Sequence, residues 1–287
     1  MNKITIIFSP YHVGERDFRV GNGPKRILGF GIVDVLEKLG YEVDIVEIPR
    51  VDEYEGEIGK SFEILNRTSV IVKNAIANGT FPLILSGNCM ATAAVACGLR
   101  EENLGFIYFD AHDDLDSPDV NTNGYLDAMG LSMLRGESWK AHMSKVPYFK
   151  PLTFDKFLYC GLRACDEIQK QRVKEANMDI IWGDETKKVD FIKEVKTQLQ
   201  KRDYSPAVVH LDLDCLDAAY GKVNDFPSEG GLYENELLEC MGMVPEYSTP
   251  RSLTICSFDP DCGDGDKIAQ IAVEAVKRFF TSLSKKK

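Results

Sequence analysis

Apolar positions along the chain follow two alternating patterns, short continuous runs and longer segments with helical periodicity. The short runs predict eight strands, at 3–8, 42–47, 82–86, 105–110, 156–161, 179–182, 207–214 and 252–257. The periodic segments predict helices at about 25–39, 59–77, 89–100, 129–140, 167–176, 187–201, 233–245 and 266–284. Strands and helices therefore alternate throughout the sequence, without an internal repeat or a long linker.

This alternation predicts an α/β fold. Strands separated by helices are joined by crossovers, which favour a mostly parallel sheet. Uninterrupted apolar strands are typical of a sheet that is covered on both faces. An open three-layer sandwich and a (β/α)8 barrel both satisfy these patterns, and in both the loops at the C-terminal ends of the strands carry the functional residues.

Composition narrows the classes of protein. The 287 residues include 45 acidic and 34 basic side chains, which gives a formal net charge of -11, and 44% of the residues are hydrophobic. This apolar content argues against a disordered acidic protein, and the acidic balance argues against a nucleic-acid partner. We see no signal peptide and no apolar run long enough to span a membrane. We therefore expect a cytoplasmic protein whose eight cysteines are thiols.

Two acidic motifs lie where predicted strands end. After the fourth strand, Asp110, His112 and Asp114 occupy alternate positions, so an extended backbone would point them to one side. At the end of the seventh strand Asp212 and Asp214 share a face, and two buried carboxylates there would repel each other. We expect a bound cation to offset this repulsion. Mixed imidazole and carboxylate ligands suit manganese, zinc or iron. Alternatively, each motif caps a loop or helix.

A third segment, residues 83–99, predicts a strand, a tight Ser-Gly-Asn turn and a helix that begins near Cys89. A thiol at a helix N-terminus can have a lowered pKa, which would make Cys89 a metal ligand or a nucleophile. The alternative is a small buried residue without a chemical role.

In their order along the chain these motifs resemble those of the ureohydrolase family, which includes arginase, agmatinase, guanidinobutyrase and formimidoylglutamase. The family's GGDHS, DAHxD, DxDxxDP and GGL segments correspond to SGNCM at 86–90, DAHDD at 110–114, DLDCLDA at 212–218 and EGGL at 229–232. GLRACD at 161–166 and GNGPKRIL near residue 21 are similar to two further family segments. The resemblance implies one arginase-like α/β domain over 1–287, a three-layer αβα sandwich with an eight-stranded, mostly parallel sheet.

The resemblance also implies a site for two manganese ions. Asp110 and Asp212 would bridge both ions, and His112 and Asp214 would complete one of them. Asp114 would hold the other ion and hydrogen-bond a bridging hydroxide. The implied reaction is hydrolysis of a C–N bond in a small guanidino or amidino substrate by this metal-bound hydroxide. Members of the family usually form homo-oligomers, either trimers or hexamers.

At the second ion the chain departs from the family. Cys89 stands where GGDHS has its histidine ligand. A thiolate at this position would favour zinc or ferrous iron over manganese, whereas a protonated thiol would leave one tightly bound ion. His210 lies two residues before Asp212 on the same strand face, and we hypothesise that it supports the altered ion site. The alternative is a core histidine with a backbone partner.

Substrate-side positions differ as well. Asp127 stands where arginase has a histidine that is thought to shuttle protons, and Ser257 stands where the family has its guanidinium-binding glutamate. Asp259 and Asp261 are positioned to take over cation recognition, and Asp166 to orient a substrate amine. These differences predict a substrate other than arginine.

Together these residues define one leading function and two alternatives. The leading function is a metal-dependent hydrolase of linear amidine or guanidine C–N bonds, with Asp114, Asp127 and His210 as candidate catalytic residues. The alternatives are a non-catalytic family member with a regulatory or assembly role, and a thiol enzyme that uses Cys89. Because aspartates concentrate at 110–119, 212–217 and 259–266, we also expect one cleft to collect much of the acid excess.

Overall fold

The computed structural model describes residues 2–286, and ten strands are found in them. They are β1 (Lys3–Ser9), β2 (Tyr11–His12), β3 (Glu15–Arg16), β4 (Glu42–Glu47), β5 (Phe81–Ser86), β6 (Gly105–Phe109), β7 (Phe157–Leu162), β8 (Asp179–Trp182), β9 (Ala207–Asp212) and β10 (Pro250–Cys256). All eight predicted strands are present with small shifts of their ends. The short antiparallel pair β2–β3 was not predicted.

Ten α-helices occupy the same described part of the chain. They are α1 (Gly23–Gly29), α2 (Ile32–Lys38), α3 (Gly56–Ala77), α4 (Ala91–Leu99), α5 (Gly130–Leu134), α6 (Lys140–Met143), α7 (Glu167–Glu175), α8 (Phe191–Lys201), α9 (Glu234–Tyr247) and α10 (Gly265–Ser284). The predicted helix at 25–39 is two helices, because Gly31 adopts a left-handed conformation with φ 81° between them. Within residues 2–286, no helix is both long and apolar enough to cross a membrane.

Eight strands form one open parallel sheet in the order β4-β1-β5-β10-β9-β6-β7-β8. Helices α8, α9 and α10 pack their apolar side chains on one face, and α3, α4 and α5 pack on the other. The prediction of a three-layer αβα sandwich is confirmed. The barrel is excluded, because β4 and β8 are free edges of the sheet.

The strand order brings distant motifs together. The chain fills the two outer parts of the sheet first and then returns to insert β9 and β10 between β5 and β6. The C-terminal ends of these four central strands therefore lie side by side, at the point where the direction of winding changes. Ligands of open α/β sheets bind at such a position.

Arg163, just after β7, ties the loops at this edge to one another. Its guanidinium donates to the backbone carbonyls of Asp214, Leu216 and Ser228 at 2.9, 3.0 and 2.9 Å, and to that of Glu229 at 3.0 Å. Arg163 thus joins the segment after β9 to the Gly-rich segment at 229–232, which explains structurally why GLR and EGGL occur together.

We predict that Arg163→Lys lowers the free energy of unfolding by about 2 kcal/mol or more. A lysine keeps the charge but cannot reproduce the planar fork that contacts several carbonyls at once. Urea denaturation measures this difference. The matched control is Arg278→Lys, because Arg278 is an exposed helix residue whose ion-pair partner among the described residues is Glu274 at 3.3 Å. Equal unfolding midpoints for the two variants would contradict the role of Arg163.

Candidate active site

An open cavity of about 500 Å³ lies over the C-terminal ends of the central strands. Nine carboxylate residues line it, against the single guanidinium of Arg19. The nine are Glu57, Asp113, Asp114, Asp116, Asp127, Asp212, Asp214, Asp225 and Asp259. Because one sign of charge dominates the walls, the cavity has a negative potential that attracts cations.

The acid excess is only partly collected in this cavity. In the segment 259–266, Asp259 alone lines it. Asp264 instead caps α10 by accepting a backbone N–H at 3.0 Å, and Asp266 pairs with Arg26 on the surface. The expectation that the third acidic window belongs to the cleft is therefore wrong for these two residues, because helix capping and ion pairing use their carboxylates.

Asp110, His112 and Asp214 form the first group of potential metal ligands. Their ligand atoms lie within 4.8 Å of one another, with His112 Nδ1 3.2 Å from Asp214 Oδ2 and 3.7 Å from Asp110 Oδ1. Burial and the charge of Asp214 raise the pKa of Asp110 to about 7. Burial opposes protonation of His112, but the two carboxylates outweigh it and raise the pKa of that imidazole.

The backbone brings these side chains together by turning, and not by extending as we predicted. Strand β6 ends at Phe109, after which the His112 N–H donates to Asp110 Oδ1 at 2.7 Å. Asp114 then adopts a left-handed conformation with φ 53°, and its carboxylate accepts from the Tyr108 hydroxyl at 2.8 Å. Burial, Asp110 and Asp127 raise the pKa of Asp114 well above its usual range.

A similar turn follows β9, which ends two residues earlier than predicted. Asp212 closes the strand, and a short 3-10 helix covers Leu213–Cys215. Asp212 Oδ1 accepts from the Asp214 N–H at 2.8 Å, so both carboxylates still face the site. Burial and the carboxylates of Asp214 and Asp110 raise the pKa of Asp212 well above its usual range.

Cys89, His210, Asp212 and Cys256 form a second group whose ligand atoms also lie within 4.8 Å of one another. The Cys89 thiol donates to Asp212 Oδ2 at 3.0 Å and lies 2.7 Å from Ser257 Oγ. A hydrogen bond with Cys256, burial and the nearby carboxylates raise the pKa of Cys89 well above its ordinary value. A protonated thiol is a weak nucleophile, which argues against the thiol-enzyme alternative.

His210, the imidazole of this group, is fully buried. Its ring stacks on Tyr108, with centroids 3.8 Å apart, and its Nδ1 lies 2.6 Å from Thr92 Oγ1. Burial lowers the pKa of His210 to about 3, so the imidazole is neutral. His210 is a core histidine, as the alternative stated, but its partners are side chains and not the backbone, Thr92 at Nδ1 and Cys256 at Nε2.

The Asp127 carboxylate holds the turn that carries Cys89. It accepts from Asn88 Nδ2 at 2.7 Å and from the backbone N–H groups of Cys89 and Met90 at 3.2 and 2.8 Å. This turn is also close to β2, since a side chain at Gly87 would overlap the carbonyl oxygen of Tyr11. Asp127 lines the cavity, and its role in proton transfer stays a prediction.

The predicted substrate-binding residues are divided between the cavity and its surroundings. Ser257 and Asp259 line the cavity. Asp166 does not, because its exposed carboxylate caps α7 by accepting from the Gln169 N–H at 2.8 Å. Gln169 itself lines the cavity wall.

Sequence reasoning missed two residues of the site. Asn224 donates to Asp214 Oδ2 at 2.9 Å and to the Ser257 carbonyl at 3.0 Å, and so joins two loops. Cys256 lies beside Asp212 because the two residues are register partners on β10 and β9. Neither Asn224 nor Cys256 belongs to a motif, and the adjacency of β9 and β10 is the only signal for Cys256.

These side chains fit divalent metal ions. Asp110 Oδ2 is completely buried, yet it has no hydrogen-bond partner among the described residues. Other carboxylates, the imidazoles of His112 and His210 and the Cys89 thiol converge around Asp110, and the burial and mutual repulsion of Asp110, Asp114 and Asp212 disfavour their ionisation without a cation. The described residues therefore leave the Asp110 carboxylate without a full set of hydrogen-bond partners, as expected of a metal ligand.

Comparison with known proteins agrees with the fold and the motifs. A family model described as Arginase family matches residues 3–281. Arginase from Bacillus subtilis is 27% identical, over 96% of this chain and 97% of that protein. The crystal structure of Bacillus caldovelox arginase superposes with a TM-score of 0.88 at 23% identity, over 98% of both chains. Formimidoylglutamase from Bacillus subtilis superposes with a TM-score of 0.73 at 16% identity, over 99% of this chain and 88% of that one.

We predict that, after chelator treatment, the melting temperature falls by several degrees between about pH 5 and about pH 8. The pKa of Asp110 rises from 3.8 to about 7 on folding, so in this window the folded chain binds more protons and loses stability as pH rises. His112, whose pKa is also raised, acts in the same direction above its ordinary pKa of 6.5. Calorimetry at a series of pH values measures the slope.

Asp110→Asn should flatten this slope, and Asp119→Asn should leave it unchanged, because Asp119 is exposed. A melting temperature that stays constant or rises over the window would contradict the assigned pKa shifts.

Proposed function

Since the chain belongs to the arginase family, we propose that it is a metal-dependent hydrolase of a C–N bond in a small linear guanidino or amidino compound other than arginine. The observation that carries this proposal is the group of buried carboxylates at and beneath the wall of an acidic cavity, in which Asp110 Oδ2 has no hydrogen-bond partner among the described residues. A cationic substrate suits that potential. The proposal also follows the family resemblance in expecting a cytoplasmic homo-oligomer, a trimer or hexamer.

Two ions are proposed to bind at the cavity floor, with manganese expected and zinc or iron as alternatives. Asp110, His112 and Asp214 would hold the first ion. Asp212 would contribute to both, and Asp114 and Cys89 would complete the second. When bound, such ions supply Lewis acidity and lower the pKa of water.

Several residues of the chain are proposed to handle protons. Asp114 is a suitable proton holder, because burial raises its pKa and the Tyr108 hydroxyl orients it. Asp127 stays within reach of the cavity while it fixes the turn before α4. His210 is proposed to act from beneath the site, where it stays neutral and orients its neighbours.

Substrate recognition is proposed to differ from that of arginase. A serine at position 257 offers no charge to a guanidinium, and its hydroxyl already contacts the Cys89 thiol at 2.7 Å. Asp259 lines the cavity two residues further on and keeps one carboxylate oxygen, Oδ2, outside its contact with the Asp261 N–H. We assign the cationic end of the substrate to Asp259. Asp166 is proposed to act on a substrate amine indirectly, because it caps α7 and this helix carries Gln169 in the cavity wall.

Metal content and product release test the hydrolase directly. We predict bound divalent ions in protein purified without chelator, together with urea or ammonia release from at least one of agmatine, guanidinobutyrate or formiminoglutamate in preference to arginine. Asp212→Ala should strip the metal and abolish turnover, since the family resemblance assigns this carboxylate to both ions. Asp119→Ala is the exposed control and should retain both.

The other outcomes separate the alternatives. Absence of both ions and turnover would support the non-catalytic member with a regulatory or assembly role. Activity that survives chelation but is lost in Cys89→Ser would support the thiol enzyme. Unchanged metal stoichiometry in Asp212→Ala would overturn the whole assignment.

Asp259→Asn should raise KM by on the order of tenfold while kcat changes little, because a charge-assisted contact to the substrate is lost but the ligand group is intact. Steady-state kinetics on the preferred substrate measures the two constants. The control is Asp261→Asn, since the Asp261 carboxylate is exposed and does not line the cavity. A KM that responds equally in both variants would remove the assignment of Asp259.

A further inference from the structure

Cys89, which lines the cavity, has a second thiol as its neighbour, that of Cys256, which lies beneath the lining residues. Cys256 is the last residue of β10 and has 1% of its surface exposed. Its sulfur lies 3.4 Å from His210 Nε2 and 3.9 Å from Asp212 Oδ2. With the Cys89 sulfur 3.0 Å from the same Asp212 oxygen, two thiols, one imidazole and one carboxylate surround a common point.

These separations match a small tetrahedral ion. Bonds of about 2.3 Å to sulfur and about 2.0 Å to nitrogen or oxygen place ligand atoms roughly 3.3–3.8 Å apart around tetrahedral zinc. The measured separations of 3.0, 3.4 and 3.9 Å bracket this range. All four ligand atoms lie within 4.8 Å of one another, so only small side-chain adjustments are needed.

The histidine is oriented as a ligand. Nδ1 of His210 lies 2.6 Å from the Thr92 hydroxyl, and a proton on Nδ1 donated to that oxygen leaves the Nε2 lone pair directed at Cys256. Metal-bound histidines commonly fix their tautomer through a hydrogen bond of this kind. Stacking on Tyr108 at 3.8 Å with an interplanar angle of 2° holds the ring in this orientation.

A separate observation points to a cation beside this group, because Asp110, assigned to the first ion, also has a ligand atom within 4.8 Å of those of Cys89 and His210. The Asp110 Oδ2 atom has no hydrogen-bond partner among the described residues, is completely buried, and lies 3.8 Å from the same His210 Nε2. A carboxylate oxygen without a donor in such a place is costly unless a positive charge is nearby.

We propose that Cys89, Cys256, His210 and Asp212 form a zinc site, so that the protein holds two chemically different ions. The oxygen-rich group of Asp110, His112 and Asp214 suits a harder ion such as manganese, whereas thiolates select zinc. The inference rests on the proposed function in that both concern ions at one cavity floor, and it goes further by naming Cys256 and His210 as direct ligands. Zinc binding displaces the two thiol protons into solvent.

Cobalt(II) tests the ligands spectroscopically, without any substrate. Chelator-treated protein is titrated with cobalt(II), since a cobalt–thiolate bond gives an intense charge-transfer absorption in the near ultraviolet that oxygen and nitrogen ligands do not. We expect this band in the wild-type protein and its reversal by zinc. Cys256→Ser should lower its intensity by about half, because one of two thiolates is removed. Cys160→Ser is the matched control, since Cys160 is equally buried in the same sheet but lies outside both ligand groups.

Competition with manganese gives a second measurement. Protein equilibrated with equal concentrations of zinc and manganese should retain one zinc per chain after gel filtration, and Cys256→Ser should weaken zinc retention by at least tenfold. Cobalt binding without a charge-transfer band would overturn the inference. Equal band intensity and equal zinc content in Cys256→Ser and Cys160→Ser would also overturn it. If the wild-type protein shows the cobalt–thiolate band but its metal-loaded form hydrolyses none of the candidate substrates, the proposed function alone is overturned.

Discussion

The structure is dominated by the repulsion among carboxylates that are buried at the ends of its central strands. Asp110, Asp212 and Asp214 are each almost fully withdrawn from water, and this burial, together with the neighbouring carboxylates, raises the pKa of Asp110 and Asp212. The protein offsets part of this cost with backbone N–H donors and with His112, but Asp110 Oδ2 has no donor among the described residues. The proposed cations would supply the positive charge that balances these carboxylates, and the acidic cavity would attract them.

The order of the strands brings together the segments that carry these carboxylates. Inserting β9 and β10 last, between β5 and β6, brings segments together that are more than a hundred residues apart in sequence. Loop contacts then fix the geometry, Arg163 on one side and the Asp127 carboxylate on the other. The same order places Cys256 next to Asp212, so the second ligand group contains two thiols together with one imidazole and one carboxylate.

Sequence reasoning reached the fold and most of the site because both have local signals. Eight apolar runs predicted the eight sheet strands, and Asp110, His112, Asp114, Asp212 and Asp214 stand in short motifs at strand ends. It failed where a carboxylate caps its own turn or helix, and where the outcome depends on contacts between distant segments. The turns after Phe109 and Asp212 break the predicted extended geometry, Asp166 is used by a helix cap, and the closeness of Cys256 depends on strand order, which one sequence does not contain.

The central claim is that external cations stabilise the buried carboxylates, and stability as a function of ion concentration tests it most directly. The unfolding midpoint of chelator-treated protein is measured at neutral pH over a range of manganese and zinc concentrations. A ligand that binds only the folded state raises stability continuously with its concentration. The account predicts such a rise for both ions, reduced in Asp110→Asn. A midpoint that stays constant at saturating concentrations of either ion would contradict it.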